Sequence, residues 1–322
     1  MHRYIVKRLI QMIPMMFLVS VISFGVTKMA PGDFLSQKMM NPSINPETIQ
    51  KERERLGLTK PIHIQYLKWI GGWLTGNMGE SFAYRVPVSD LLLQRLGNTI
   101  LLGICTILLE WLVAIPLGTY IAVRQYSTAD NVASVCSFVA LGTPDFFLAV
   151  LLLWGAAATG LFPIGGMTSP NFNELGLISK VLDVAHHLVL PVISLTVANI
   201  AILQRRMRGM LLDVLGEDYI RTARAKGLPE HRVIYKHAVR NAINPLITIL
   251  GFDLAYLISG SALIEIVTGW PGLGQMVYEG IRTLDIYVSL AGLVVSAFML
   301  MLANLLSDIL LAMVDPRIKL EA

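Results

Sequence analysis

Long apolar runs separated by polar stretches dominate this 322-residue chain. A helix needs about 20 apolar residues to cross the hydrocarbon core of a bilayer. Six runs approach or exceed that length, and they are residues 9–26, 99–123, 132–159, 188–203, 245–266 and 286–314. We therefore predict an all-α integral membrane protein with six transmembrane helices, which places both termini on the same side of the membrane.

The composition agrees with that pattern. Hydrophobic residues make up 54% of the chain and charged residues only 15%, with a mean hydropathy of +0.61. These values are typical of a polytopic membrane protein and exclude an ordinary soluble domain. The first apolar run lacks a small-residue cleavage site, so we expect it to remain as the first span and not to be removed as a signal peptide.

Basic residues are concentrated on one side of the predicted membrane. The side that holds both termini carries 15 Lys/Arg against 7 Asp/Glu, whereas the opposite side carries 11 of each. The positive-inside rule makes the basic side, and with it both termini, cytoplasmic. The sequence pI of about 9.0 therefore reflects orientation next to membrane lipid, and no nucleic-acid partner is required to explain it.

The segment 30–97 is polar enough to lie outside the cytoplasm. Within it, residues 47–56 predict a charged surface helix that ends at Gly57, and residues 64–74 predict a second helix rich in Tyr and Trp. Aromatic side chains at this density suit a membrane interface or a contact surface. We expect an extracytoplasmic insertion between the first and second spans.

The longest polar run on the basic side is 204–244. Its central part predicts a helix up to Lys226, a bend at Gly227 and a second helix that begins near Pro229. The second helix has a partly apolar face formed by Val233, Ile234, Ala238 and Val239. Such a bent, amphipathic hairpin is suited to binding by another protein. The alternative is a basic loop held at lipid headgroups.

The residues of this bend form a motif. Arg221-Thr222-Ala223-Arg224-Ala225-Lys226-Gly227-Leu228, followed by His237-Ala238-Val239-Arg240-Asn241-Ala242 and Pro245, resembles the cytoplasmic loop of peptide-type ABC importer permeases. The general importer pattern opens with Glu-Ala-Ala, whereas Arg221 and Thr222 stand at its first two positions here, as in the peptide and nickel branch. Segments within 56–99, 270–274 and 314–318 resemble the same branch.

The resemblance implies a type I ABC importer permease fold as a single transmembrane domain over 1–322, with 204–244 as the ATPase-coupling loop. It also implies that the short helix seats in a cleft of an ATPase subunit. The implied coupling residues are Tyr219, Arg221, Thr222, Ala223, Arg224, Ala225, Lys226, Gly227 and Leu228. The implied partners are a homologous second permease, two P-loop ATPase subunits and an extracytoplasmic solute-binding protein.

The energy source must lie outside this chain. No Gly-Lys dipeptide occurs in it, so it contains no phosphate-binding loop of the P-loop kind. ATP and Mg are therefore expected on the partner ATPase subunits, and no cofactor is expected in this chain. The Gly-rich stretch 269–275 lacks P-loop spacing and predicts a turn.

Acidic residues inside the apolar runs are candidates for a transport path. An ionisable group in a membrane segment is costly and usually faces protein or water. Glu110 and Asp253 are therefore possible path residues that meet a charged substrate. The alternative for any such acid is a hydrogen bond between helices or an interface position, which we favour for Asp145.

Other reactive residues do not form a catalytic pattern. His186 and His187 are adjacent and diverge on a helix, so we predict no metal site. Cys105 and Cys136 lie within predicted spans and indicate neither a disulfide nor a catalytic thiol. We predict no catalytic residues, and thus a non-catalytic subunit. An integral-membrane enzyme would require clustered reactive groups at one membrane depth, and none stands out.

Together these features predict a permease subunit of an ATP-driven, solute-receptor-dependent importer in a prokaryotic inner membrane. It would form half of a path for peptides and couple to the ATPase through residues 218–245. Nickel chelates, glutathione or oligosaccharides are alternative substrates for the same mechanism. An ion-coupled secondary transporter is the alternative from another class; Glu110 and Asp253 keep it open, although the sequence has no convincing internal repeat.

Overall fold

The computed structural model describes residues 2–29, 32, 34–39 and 45–314. Across these residues the chain is helical, apart from short turns, loops and an isolated antiparallel bridge between Glu80 and Pro87. The predicted features at 30–31, 33, 40–44 and 315–318 lie outside the described residues. The all-α prediction is confirmed.

The chain divides into two compact units. The N-terminal unit comprises His2–Thr99 and Pro271–Met301, and the central unit comprises Ile100–Trp270 and residues 302–314 of the last helix. The helices in chain order are α1 (His2–Met29), α2 (Phe34–Met39), α3 (Pro46–Leu56), α4 (Ile62–Leu74), α5 (Val88–Val123), α6 (Thr128–Gly142), α7 (Asp145–Thr159), α8 (Leu177–Leu215), α9 (Asp218–Ala225), α10 (Glu230–Arg232), α11 (Arg240–Gly260), α12 (Ala262–Thr268), α13 (Leu273–Arg282) and α14 (Ile286–Val314).

Two helices of the N-terminal unit form where the sequence predicts them. The side chain of Asn45 caps α3 by accepting a hydrogen bond from the Glu47 N–H at 2.9 Å, and Gly57 ends the helix in the left-handed conformation. The aromatic helix α4 follows, and its Trp69 is buried against Phe24 of α1 and Leu290 of α14. The predictions of a charged helix and an aromatic helix are confirmed.

A buried carboxylate fixes the loop between α4 and α5. Asp285 is fully buried and accepts hydrogen bonds from the Ser81 hydroxyl at 2.8 Å and from the Ala83 N–H at 3.0 Å. It also accepts one from the Val288 N–H at the start of α14. All these partners belong to the N-terminal unit, so Asp285 is a structural acid whose charge is satisfied inside the protein.

The central unit is built around α8. This 39-residue helix packs against α6, α7, α11 and α12. It approaches α5 closely at Gly118, where a Cβ atom would lie 2.7 Å from the carbonyl oxygen of Gln204. No larger residue fits there without moving one of the two helices, so this glycine allows the backbones of α5 and α8 to pack together.

The helices agree with most of the predicted spans. A segment that includes α1, together with α5, α8 and α14, is long and apolar enough to cross a membrane, and α6 with α7 would form a fifth crossing if the bent pair is one span. Helices α11 and α12 cover the predicted span 245–266, but on the described residues they are not among these candidates. A sixth span therefore stays a prediction.

The predicted span 132–159 is not one straight helix. Helices α6 and α7 are bent by 99° at Thr143 and Pro144. Pro144 lacks a backbone N–H and disfavours helical dihedrals at the residue before it, so α6 ends and α7 begins at Asp145.

Candidate functional site

The predicted coupling residues lie on α9 and on the turn that follows it. Helix α9 ends at Ala225, and Gly227 adopts φ = +74°. The Gly227 N–H donates to the Arg224 carbonyl at 2.9 Å, which closes the helix end. A Cβ atom at Gly227 would meet nothing within 4 Å, so the backbone dihedral, and not lack of space, favours glycine. The predicted bend at Gly227 is confirmed.

One side of α9 is buried in the central unit. Ile220 is fully buried and Ala223 is 8% exposed. Both belong to an apolar cluster that takes residues from α5, α8, α9, the helix after α10 and α11, namely Ala114, Ala122, Leu203, Met207, Leu211, Ile220, Ala223, Val233, Ile234, Ala238, Val239, Ala242 and Leu246. Full burial of one such aliphatic side chain contributes about 2 kcal/mol. This cluster, which we name the α9 base, anchors the short helix.

The opposite side of α9 is exposed and basic. Exposed side chains there belong to Tyr219, Arg221, Thr222, Arg224, Ala225 and Lys226, while Leu228 packs partly against the α9 base. The Arg221 side chain is 72% exposed and lies 3.4 Å from the Asp218 carboxylate. The phenol oxygen of Tyr219 accepts a hydrogen bond from the Asn241 amide at 2.9 Å. A rigid helix with one anchored side and one free basic side can seat in a groove of another protein.

An ion pair spans the bend. The Arg224 guanidinium donates to both carboxylate oxygens of Glu230, with the shortest distance, 2.7 Å, between Nη2 and Oε1. Hydrogen bonding from Arg224 lowers the pKa of Glu230 below its usual value, and the same contact raises the pKa of Arg224. The pair therefore stays charged at neutral pH and links the end of α9 to the start of α10.

The helix after α10 is wider than an α-helix. Residues Val233–Val239 form a π-helix before α11 begins. Its buried side chains are Val233, Ile234, Ala238 and Val239, which are the four residues of the predicted apolar face. They recur at a spacing of five residues, which is the spacing of the i→i+5 hydrogen bonds of a π-helix, so they lie on roughly the same side of it. The apolar face is confirmed, but the sequence analysis did not predict the π form.

The sequence analysis also missed an ion pair beneath this loop. Arg208 of α8 donates from Nε and Nη2 to the two carboxylate oxygens of Asp130, both at 2.7 Å. Asp130 is 2% exposed and also accepts from the Tyr126 N–H at 2.9 Å. The signal available in the sequence was an acid in the short turn between two spans and an excess of arginines 75–80 residues later. The pair joins the first turn of α6 to the C-terminal part of α8.

The two predicted path acids line the same cavity. This cavity has a volume of about 630 Å³ and lies between α5, the α6–α7 bend, α8 and α11. Glu110 is 3% exposed, and its Oε2 has no hydrogen-bond partner among the described residues. The charges of Asp253 and Arg206 act on Glu110. Arg206, Asp145 and Asn199 also line the cavity, and the sequence analysis gave none of these three a role in a path.

The adjacent histidines point to different partners. His186 lies 2.9 Å from the Leu161 carbonyl through Nε2, and His187 lies 2.8 Å from the Asp183 carbonyl through Nδ1. The two rings thus contact carbonyl groups of different residues, in agreement with the divergence predicted from their adjacent positions on one helix.

Comparison with known proteins identifies the family. Residues 114–320 match the family described as "Binding-protein-dependent transport system inner membrane component", and residues 1–103 match the N-terminal family of the same membrane components. The matched region 114–320 includes α9, the bend and the lining residues of the cavity other than Glu110.

Relatives match along the whole chain. The oligopeptide transport system permease protein AppB of Bacillus subtilis is 40% identical over 321 residues, which cover 99% of this chain and 100% of the relative. The dipeptide transport system permease protein DppB of Escherichia coli is 34% identical over 336 residues, which cover 99% of each. The oligopeptide transport system permease protein OppB of Mycobacterium bovis is 33% identical over 327 residues and all of both chains.

The predicted resemblance to permeases of peptide-type ABC importers is thereby confirmed. Together with several helices long enough to cross a membrane, the match makes this a multi-pass membrane protein with a transport role. The chain therefore belongs to the family of inner-membrane components of binding-protein-dependent transport systems.

Proposed function

We propose that this protein is a permease subunit of an ATP-driven peptide importer and that α9 is the point at which a separate ATPase acts on it. The observation that carries the proposal is the division of α9 into an anchored side and an exposed basic side. Force applied to the exposed side passes through Ile220 and Ala223 into α5, α8 and α11. A packed base of this kind moves with the helix it holds.

The proposed assembly follows from the family. A homologous second permease would form the other half of the path, two P-loop ATPase subunits would hold ATP and Mg, and an extracytoplasmic solute-binding protein would deliver substrate. In this proposal the chain crosses the membrane six times, with both termini and the coupling loop 204–244 in the cytoplasm. The segment 30–97 would then face the solute-binding protein.

Binding of ATP would draw the two ATPase subunits together and shift the balance between two packings of the spans. The permease itself would perform no chemistry. Its contribution would be alternating access to a path that it shares with the second permease.

Peptides are the proposed substrates because the relatives along the whole chain are named as oligopeptide and dipeptide permeases. Nothing in the described cavity favours a nickel chelate, glutathione or an oligosaccharide over a peptide. The solute-binding protein would choose among peptides before they reach this chain.

The proposal is tested by charge reversal at two matched arginines. Arg221 and Arg55 are 72% and 76% exposed, and each lies near an acid three residues earlier in its helix. We expect Arg221→Glu to reduce co-purification of the ATPase in mild detergent about tenfold or more, because a charge at an interface contact is reversed. Arg55→Glu on α3 should retain the ATPase at the wild-type level.

The two variants also separate docking from folding. Both remove one exposed arginine from a helix surface, so both should insert and purify in wild-type yield. Equal ATPase retention by Arg221→Glu and the wild type would refute the role of α9. Uptake into proteoliposomes driven by a proton or sodium gradient without any ATPase would refute the importer itself.

A further inference from the structure

The cavity beside Glu110 has the size and lining of a small-molecule site. Its volume of about 630 Å³ lies within the range of about 300–1,000 Å³ that is usual for ligand pockets. Apolar walls come from residues such as Leu141, Ile202 and Ile249. Charged side chains from three different helices and the α6–α7 bend interrupt these walls.

Glu110 is the most informative of these side chains. It is almost completely buried, and its Oε2 has no hydrogen-bond partner among the described residues. A buried carboxylate without a donor costs free energy, so proteins normally satisfy it. The buried acids Asp130 and Asp285 obey this rule, because each accepts hydrogen bonds at 3.0 Å or less. Glu110 instead borders empty space that can admit a donor.

The charged side chains around the cavity favour a ligand that carries a cation beside the carboxylates and an anion beside the guanidinium. Among the described residues that line it, there are three carboxylates, from Glu110, Asp145 and Asp253, and one guanidinium, from Arg206. No ion pair or hydrogen bond within the described residues occupies the Arg206 guanidinium. Arg206 and Asn199 are seven residues apart on α8 and therefore share one face.

We propose that this cavity is a binding site for the charged ends of a short peptide in transit, with Glu110 and Asp253 receiving the N-terminal ammonium and Arg206 receiving the terminal carboxylate. The proposal rests on the proposed function for the identity of the substrate as a peptide. An ammonium group supplies the donors that Oε2 of Glu110 lacks. A guanidinium binds a carboxylate through two parallel hydrogen bonds.

The charge of the cavity can be tested by the rate at which charged reagents label a thiol in it, without a transport assay. Ala198 lines it and is partly buried, so Ala198→Cys introduces a thiol into a chain in which Cys105→Ala and Cys136→Ala remove the natural ones. The reconstituted complex is treated with a trimethylammonium methanethiosulfonate and with a sulfonate methanethiosulfonate. Rates are divided by those measured with free cysteine.

We expect the cationic reagent to react about tenfold faster or more, because an acidic cleft concentrates cations. Glu110→Gln with Asp253→Asn should remove this preference. Free Ala-Ala should slow the reaction, and N-acetyl-Ala-Ala should not. Equal rates for the two reagents would overturn the proposal, and so would no reaction with either, because the cavity would then be closed to solutes.

A transport measurement separates this site from the proposed function. In proteoliposomes with saturating solute-binding protein, Glu110→Gln should lower the peptide transported per ATP hydrolysed about tenfold, since a charge-assisted contact is lost. Glu174→Gln removes an exposed carboxylate that does not line the cavity, and it should retain the wild-type ratio.

The two possible failures differ. If the wild-type complex transports and Glu110→Gln keeps the wild-type ratio, the site is wrong and the proposed function stands. If the wild-type complex shows no ATP-driven uptake, the proposed function is wrong, and the labelling rates still decide whether the cavity is an acidic site open to solutes.

Discussion

The predicted coupling loop, residues 204–244, and the cavity both lie within the central unit and use acidic residues in opposite ways. Beneath and within the loop, both carboxylate oxygens of Asp130 and of Glu230 accept hydrogen bonds from an arginine of the same chain. In the cavity, one oxygen of the buried Glu110 has no partner among the described residues. The loop therefore uses its charges to fix its own conformation, whereas the cavity leaves charge available to a molecule from outside.

The largest effect expected from this contrast is at Arg208. Removing one partner of a buried ion pair leaves the other charge unpaired, which typically costs about 3–5 kcal/mol. Arg208→Ala should therefore lower the free energy of unfolding in detergent by about 3 kcal/mol, because Asp130 is only 2% exposed. Arg205→Ala is the control, since Arg205 stacks on the exposed ring of Phe138 and should cost about 1 kcal/mol or less. Equal losses for the two variants would contradict the structural role of the pair.

The opposite sign is expected in the cavity. Glu110→Gln should raise the free energy of unfolding by about 1–2 kcal/mol, because a buried unsatisfied carboxylate is replaced by a neutral amide of similar shape. Asp130→Asn should lower the free energy of unfolding, although it too replaces a carboxylate by an amide. Thermal unfolding of both purified variants compares them directly. A loss of stability in Glu110→Gln similar to that in Asp130→Asn would remove the distinction between the two regions.

A smaller effect is expected at the bend. Gly227→Ala should destabilise the loop by about 1 kcal/mol, because a residue with a side chain resists φ = +74°. Gly209 lies within α8, and a Cβ atom there also meets nothing within 4 Å. Gly209→Ala should therefore stabilise by up to about 1 kcal/mol through helix propensity. Limited proteolysis of the loop compares the two variants, and Gly227→Ala should be cleaved faster than Gly209→Ala. Equal cleavage rates would mean that the positive φ at Gly227 does not determine the stability of the loop.

The smallest effect is expected at the exposed pair. Arg224→Ala should change the free energy of unfolding by less than about 1 kcal/mol, because both side chains of this pair are more than a third exposed. The pKa of Glu230 is lowered, so the contribution of the pair is present above the ordinary pKa of a glutamate and is lost as the pH falls through the folded value. The protection factor of the Leu228 amide, which is the exchange rate corrected for the intrinsic pH dependence, should thus fall in acid in the wild type, and Arg224→Ala should show no such fall.

Local features of the fold were predictable from the sequence. The helix stops at Gly57 and Gly227 follow from the ability of glycine to adopt positive φ. The buried face of Val233, Ile234, Ala238 and Val239 follows from the apolar pattern. The 99° break could also have been predicted, because Pro144 restricts the residue before it, but the length of the apolar run favoured one continuous span.

Features that depend on distant residues were not predictable. The Arg208–Asp130 pair joins residues 78 positions apart, and six other arginines within 204–244 could have been its partner from charge alone. The acids Glu110 and Asp253 were recognisable as costly in a membrane, but their common cavity depends on how α5 and α11 pack against α8. The π-helix was not predictable either, because apolar spacing alone does not fix the helical period.

The length of α8 has a consequence for where force is applied. At 1.5 Å per residue its 39 residues extend about 58 Å, roughly twice the thickness of the hydrocarbon core. The 12 residues between the last apolar position of the predicted span, Leu203, and the end of the helix account for about 18 Å, more than the depth of a headgroup layer. With the predicted span 188–203 in the bilayer, α9 would begin at the end of a helix that projects beyond the lipid, and the proposed ATPase partner would gain leverage on the membrane-embedded part of the same helix by moving α9.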